Sequence, residues 1–301
     1  MGKITIYYKY VEIENPQQIC TWQKKLCKQL NLKGRILIAH EGINGTVGGL
    51  DHNIEKYKEL MLAHPLFAGI DFKDSEGDVD HFPRLRVVVR PEIVNLGLDT
   101  QKINARNGGI HLTPEQAHEF LKNKSDDTVI LDTRNKFEWK IGQFKDALNA
   151  PIDYFRELPA FIDENLDTFK DKKVLMACTA GARCERASAY LKSKNVAAEV
   201  YQIQGGIHRY VEQFPDGFFR GKNYVFDGRI TVKVNEDIVG RCDVCNAPYD
   251  EPTNCINAEC NKQFLACLAC LEKRHNTCSE TCSELVRLKK VNIRKIPAKK
   301  Q

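Results

Sequence analysis

The sequence predicts a multidomain chain of α+β and α/β type. A ferredoxin-like N-terminal domain covers residues 1–100, a parallel α/β domain 108–218, and a hairpin with a small Cys-rich, zinc-binding module and basic tail 219–301. Three observations predict this. The first 100 residues read strand, helix, strand, strand, helix, strand; short apolar strands then alternate with helices; and eight of the twelve cysteines crowd between Cys242 and Cys282. At about 150 residues per domain, 301 residues suit two or three domains. With 42% hydrophobic and 28% charged residues the chain can bury cores and is not disordered by composition.

In the first domain Ile4–Tyr8 reads as a strand. Asn15-Pro16-Gln17-Gln18 supplies an N-cap, a proline at the first helical position and a capping-box Gln, and Ile19, Trp22, Leu26 and Leu30 follow at helical spacing. Arg35–Ala39 and Ile43–Val47 are strands around a turn, and Asp51–Ala63 is a second helix. A Gly/Asp-rich loop leads to a last strand, Arg84–Arg90, completing the βαββαβ order. Arg84, Arg86 and Arg90 share one face of that strand, which suits phosphates or simply solvent. In His40-Glu41-Gly42-Ile43-Asn44-Gly45 the glycines and Asn44 are turn residues, so the run reads as structural.

In the second domain Thr113-Pro114-Glu115-Gln116 starts a capped helix. Val129–Asp132, Lys173–Ala177 and Glu199–Ile203 are short buried-type strands, a helix spans about 183–193, and Gly205-Gly206 opens another. This alternation indicates a parallel sheet. In the third part Tyr224–Phe226 and Ile230–Val234 flank Asp227-Gly228, a hairpin signal.

The most informative stretch is Leu175-Met176-Ala177-Cys178-Thr179-Ala180-Gly181-Ala182-Arg183-Cys184. It sets a cysteine at the carboxyl end of a parallel strand, just before a helix, where open α/β sheets bind ligands. Small residues at Thr179, Ala180, Gly181 and Ala182 let backbone N–H groups converge on the sulfur. The helix N-terminus adds positive potential and Arg183 a full charge, so Cys178 is the candidate nucleophile and Arg183 its catalytic partner. The bland alternative is a buried structural cysteine, and the agreement of loop, charge and placement weighs against it. Phosphatase chemistry uses Cys-x5-Arg; the spacing here is Cys-x4-Arg, so a phosphate cradle is not expected. Cys184 is a possible second thiol, able to resolve a Cys178 persulfide or sulfenate, or else a small filler on the helix.

This segment resembles the rhodanese domain. The six-residue loop from Cys178 to Arg183, the strand-end Asp132-Thr133-Arg134, the stretch Ile141–Phe144 leading to Ala147–Pro151, and Gly205-Gly206-Ile207 carry the likeness. The resemblance implies a persulfide-bearing cysteine stabilised by loop amides. Adding Glu41-Gly42-Ile43-Asn44 and the run Gly221–Asp227 before the cysteines, nearly the whole chain resembles the bacterial rhodanese-type tRNA uridine hydroxylases. That implies 5-hydroxyuridine formed at the tRNA wobble position, with molecular oxygen as co-substrate and tRNA, at its anticodon region, as partner. Ala180 and Ala182 depart from the expected glycine and larger aliphatic residue, but both are small and should preserve the loop. No flavin or nicotinamide glycine fingerprint is visible.

The cysteines run Cys242-x2-Cys245-x9-Cys255-x4-Cys260-x6-Cys267-x2-Cys270-x7-Cys278-x3-Cys282. In a cytosolic chain thiols stay reduced, so this density argues for metal over disulfides. Four pairs offer four thiolates to each of two structural zinc ions. The expected arrangement is interleaved: Cys242/Cys245 with Cys267/Cys270, and Cys255/Cys260 with Cys278/Cys282. One zinc with spare thiols, substitution by His275, or an iron–sulfur cluster are the alternatives.

The formal charge of +5 is uneven, since Leu285–Gln301 holds seven Lys or Arg and no acid, leaving residues 1–284 at −2. That basic tail suits contact with RNA phosphates or is a solvated extension. No secretory signal and no apolar run of membrane-spanning length is present, so a cytoplasmic protein with no membrane partner is expected. Two other readings stay open: a sulfurtransferase passing persulfide sulfur to a small acceptor or to tRNA, and a non-catalytic adaptor that binds through its zinc module.

Overall fold

A computed structural model of the chain describes residues 2–227 and 229–294. Residues 295–301 of the basic tail lie outside them.

The first 90 residues form β1 (Gly2–Tyr10), α1 (Pro16–Gln29), β2 (Lys33–Ala39), β3 (Gly42–Leu50), α2 (Asp51–Ala63), β4 (Lys73–Gly77) and β5 (Leu85–Val89). Asn15 caps α1 by accepting the Gln18 amide, with Pro16 at the first helical position. The sheet order is β4-β1-β3-β2-β5. Strands β1 to β4 are the antiparallel ferredoxin-like set; β5 is an extra edge strand, parallel to β2. The strand that closes the βαββαβ unit is therefore Lys73–Gly77 and not the Arg84–Arg90 segment. Lys-Asp-Ser-Glu-Gly has no apolar alternation, so it reads as loop; pairing with β1 overrides its propensity. Both helices pack on one face, where Tyr7, Ile36, Ile38, Val47, Ile54, Tyr57 and Val87 make the core.

The second unit contains β6 (Ile110–Leu112), α3 (Pro114–Lys122), β7 (Thr128–Asp132), α4 (Lys136–Trp139), β8 (Gly142–Phe144), β9 (Leu148–Asn149), α5 (Leu158–Glu164), α6 (Leu166–Phe169), β10 (Lys173–Ala177), α7 (Ala182–Ser193), β11 (Glu199–Ile203) and α8 (Gly206–Gln213). The α3 start is the full capping box that Thr113 and Gln116 predict. All pairs in the sheet β6-β11-β10-β7-β9 are parallel. Its central strand is buried on both faces: Val174 and Met176 join the core under α5 and α7, Leu175 and Ala177 the core under α3 and α8.

A hairpin forms between β12 (Phe219–Tyr224) and β13 (Thr231–Lys233), with its first strand earlier than the expected Tyr224–Phe226 and a connection over 225–230 in place of a tight Asp227-Gly228 turn, of which Gly228 lies outside the described residues; β12 also pairs with β8. After it come β14 (Pro252–Asn254), β15 (Gln263–Leu265), α9 (Leu268–Lys273) and α10 (Glu280–Arg287). Cysteines supply most of this module's small core, with Phe264 and Ala266. No helix among the described residues is long and apolar enough to cross a membrane.

Candidate active site and metal centres

The strand β10 delivers Cys178 to the junction with α7, and the chain turns there because Gly181 takes a φ of 101°, a conformation that suits glycine. This brings the Gly181 amide to 3.2 Å from Cys178 Sγ. Helix α8 closes the loop from the other side. Its first amides, from Ile207 and His208, donate to the carbonyls of Cys178 and Thr179 at 2.9 Å. Gly206 makes that approach possible: a Cβ there would stand 2.5 Å from the Cys178 carbonyl oxygen.

Cys178 is 1% exposed, and burial alone would raise its pKa. Opposing this are a hydrogen bond from the Cys184 thiol, the charge of Arg183, and the amides of Cys184 and Gly181. Together they win and hold Cys178 at about 6. Cys184 is pushed the other way, by burial and by the thiolate beside it, and so stays a protonated donor. We expect alkylation of Cys178 by iodoacetamide, measured by mass spectrometry, to titrate with that midpoint of about 6. The rate should plateau above about pH 7 and fall about tenfold per pH unit well below the midpoint. A midpoint near that of an ordinary thiol would show that the loop does not stabilise the thiolate.

The structure gives Arg183 a second task. Its guanidinium makes two 2.6 Å bonds to Glu138, on α4, and one of 3.0 Å to the Thr179 hydroxyl, which in turn donates to Glu138 at 3.1 Å. Arg183 is therefore tethered, and its field at the sulfur is shared with a fully buried carboxylate. Glu138→Gln leaves this cation buried without its counter-charge, and should destabilise the fold by about 3–5 kcal/mol in urea unfolding. A loss below about 1 kcal/mol would mean that water replaces the pair, as at an exposed site. The Asp132–Arg134 pair is wholly buried, with Arg134 also donating to the Gly142 carbonyl at 2.6 Å. Its position ties β7 to β8, a structural task.

The N-terminal domain covers the loop with its helix-free sheet face. From β1, Tyr8 donates to Glu185 at 3.2 Å and Tyr10 to the Ala182 carbonyl at 3.1 Å, both on α7. From β4, Lys73 lies 5.2 Å from the centre of the Tyr8 ring and pairs with Asp71 at 2.9 Å. Burial lowers the Lys73 pKa, against the pull of Asp71. The turn run contributes here too. Glu41 pairs with the buried Arg186 of α7 at 2.6 Å and accepts the Ile93 amide at 2.8 Å, while Asn44 donates to the Ile93 carbonyl at 3.0 Å. Only His40 and Glu41 of this run form the turn; Gly42, Asn44 and Gly45 lie in β3, and Glu41 and Asn44 tie this domain to α7 and to the segment at Ile93. Arg186→Ala strands Glu41, and we expect a stability loss of about 3–5 kcal/mol by thermal or urea unfolding. A loss under about 1 kcal/mol would show that the brace carries no load.

Glu138, Tyr8, Tyr10 and Lys73 were not foreseen from the sequence. Tyr8 and Tyr10 alternate with core Tyr7, a pattern that marks a second, occupied sheet face. Glu138 and Lys73 carry no local signal, because only tertiary packing brings them to the loop.

The eight clustered cysteines form two groups, Cys242/Cys245/Cys267/Cys270 and Cys255/Cys260/Cys278/Cys282, each with its sulfurs within 4.8 Å of one another. This is the interleaved arrangement, and neither group includes His275. Sγ–Sγ separations of 3.7 Å (Cys245–Cys267) and 3.6 Å (Cys260–Cys278) match the edge of about 3.8 Å in a tetrahedron with 2.3 Å bonds. Each donor set thus fits one ion. A multinuclear iron–sulfur cluster, with each thiolate on a different iron, would spread the sulfurs wider.

Comparisons with known proteins agree with this layout. Residues 2–93 match the UPF0176 acylphosphatase-like domain, 113–213 the rhodanese-like domain and 220–283 the rhodanese C-terminal family. Curated relatives named tRNA uridine(34) hydroxylase match almost end to end. That of Corynebacterium urealyticum is 41% identical over 290 residues, covering 93% of this chain and 96% of its own. That of Shouchella clausii is 38% identical over 297 residues, covering 97% and 90%. With the three matched domains, the cysteine loop and the two four-cysteine groups continuous over that span, the chain belongs to the tRNA uridine(34) hydroxylase family.

Proposed function

We propose that this chain hydroxylates C5 of the wobble uridine in the anticodon region of tRNA, in the cytoplasm, with Cys178 as the catalytic nucleophile and Arg183 and the loop Thr179–Ala182 as its cradle. The observation that carries this reading is a thiol held at about 6 inside a loop of converging amides, in a chain of this family. A thiolate adds to electron-poor C6 of uracil, and C5 then becomes electron-rich enough to react with molecular oxygen. One oxygen atom stays on C5; the other leaves as water, which takes two electrons and two protons from an external reductant. Expulsion of the thiolate restores the ring. Cys184 keeps a proton beside the sulfur, suited to holding Cys178 ionised between turnovers. The two four-cysteine groups hold structural zinc, since four thiolates leave no open coordination position.

The test is mass spectrometry of nucleosides in tRNA from a deletion strain, before and after complementation. Loss and recovery of 5-hydroxyuridine derivatives is the expected result. Loss of a thiolated base would instead make the protein a sulfurtransferase, and no change would make it an adaptor.

A further inference from the structure

The helix-free sheet face of the N-terminal domain does not end where the active loop covers it. Its far side is built from β2 and β5. Pairing in register puts Arg35 opposite Arg86 and Leu37 opposite Val88. Ile36, Ile38 and Val87, one position out of phase, point into the core beneath α1. The residues of the other phase, Arg35, Arg84, Arg86 and Arg90, are exposed. Among the described residues none of these four guanidiniums has a carboxylate partner; only Lys33 beside them is paired, to Asp80 at 2.7 Å. Arg35 loses basicity through burial of its stem and through repulsion by Arg86 and Arg90. Like charges gathered on adjacent strands weaken a sheet, and opposite charges nearby would relieve them.

The cluster also has a fixed relation to the active loop. The cross-strand row through Arg86 and Arg35 continues through Thr46 on β3 and Ile6 on β1 to Lys73 on β4. Lys73 is the residue stacked against Tyr8 at the loop, and its Cε would meet a Cβ placed on Gly205 at 3.3 Å. With strands about 4.8 Å apart, the row runs about 19 Å from Arg86 to Lys73. That span is short beside an RNA arm, so the backbone flanking a base at Cys178 can reach this face.

We infer that Arg35, Arg84, Arg86 and Arg90 form a docking surface for the phosphate backbone of the substrate tRNA, holding the arm whose uridine reaches Cys178. This rests on the hydroxylase reading above. Guanidiniums suit the task because each offers paired donors to phosphate oxygens and none reads a base edge from this position. The surface grips, and the loop selects.

The test uses the full-length protein with Arg35→Ala, Arg86→Ala and Arg90→Ala combined, and purified tRNA bound at several salt concentrations. All three side chains are exposed, and a thermal melt checks that the fold is unchanged. Affinity is expected to fall about tenfold or more, and the slope of log K against log salt to shrink by about 2. KM for tRNA should rise in parallel, while the alkylation rate of Cys178 should hold. Lys122→Ala with Lys124→Ala, exposed at the end of α3 in the second domain, is the charge control and should leave binding as it is. Three outcomes overturn the proposal: wild-type affinity and slope in the triple variant, an equal loss in the α3 control, or loss of poly-glutamate binding alone, which would assign the face to an acidic protein. Failure of the hydroxylase reading looks different: wild-type protein would bind tRNA with the full salt slope and form no 5-hydroxyuridine.

Discussion

Cys178→Ser is expected to abolish 5-hydroxyuridine formation, with a loss of at least about a thousandfold, while leaving the fold intact. The reason is the size of the shift the loop can produce. It moves a thiol to about 6 against a desolvation that by itself raises the pKa. A serine hydroxyl is much the weaker acid, and the same amides and the shared charge of Arg183 cannot ionise it. The substitution exchanges one buried sulfur for a smaller oxygen of the same connectivity, so circular dichroism and melting temperature should barely move. Hydroxylation would be read by nucleoside mass spectrometry in complemented cells. Retention of activity in a well-folded Cys178→Ser protein would end the case for a cysteine nucleophile, whatever the loop looks like.

Removal of metal is expected to have the largest effect on structure. Of the six buried residues in the C-terminal core, four are cysteines of the two four-cysteine groups, Cys242, Cys255, Cys270 and Cys282; the others are Phe264 and Ala266, with Val244, Tyr249 and Leu271 partly buried against them. Without metal this core keeps few apolar side chains beside its thiols, too little to hold α9 and α10. Structural zinc in small domains contributes about 10–16 kcal/mol of apparent binding free energy at neutral pH, which is then folding free energy. Protein purified from zinc-replete cells should carry two zinc ions per chain by elemental analysis. Chelation should abolish amide-exchange protection from residue 242 onward and spare the β10 core. Ligand thiolates must be deprotonated, so acid favours metal release and protection should fail at lower chelator as pH drops. One ion per chain, or protection that survives chelation, would contradict the assignment.

Much of this molecule is legible in one sequence, for identifiable reasons. Residues Lys173–Ala177 are apolar enough to be buried on both faces and are bounded by a charged segment and a small-residue loop, so strand, loop and helix follow from local pattern. The metal groups follow from spacing, because thiolate pairs two to four residues apart can share an ion. The misses have the opposite character. Strand β4 is polar and short, and exists because β1 needs a partner on its outer edge. Glu138 looks like any capping residue of a short helix, and its bond to Arg183 spans 45 positions of chain. Arg183, singled out in the sequence for its charge, spends part of that charge on Glu138, a carboxylate that no local pattern reveals.

The brace between Arg186 and Glu41 has a consequence for how position along a nucleic acid is measured. Arg186 sits on the helix that opens at the reactive loop, and Glu41 sits at the turn joining the two strands that lead to Arg35 and onward to Arg86. With that pair buried and reinforced through Ile93 and Leu98, the two domains cannot slide past each other without breaking it. The separation between the arginine face and the sulfur is then a constant of the folded protein; on the docking inferred above it would act as a ruler, letting distance from the grip, as well as the base, choose the nucleotide modified.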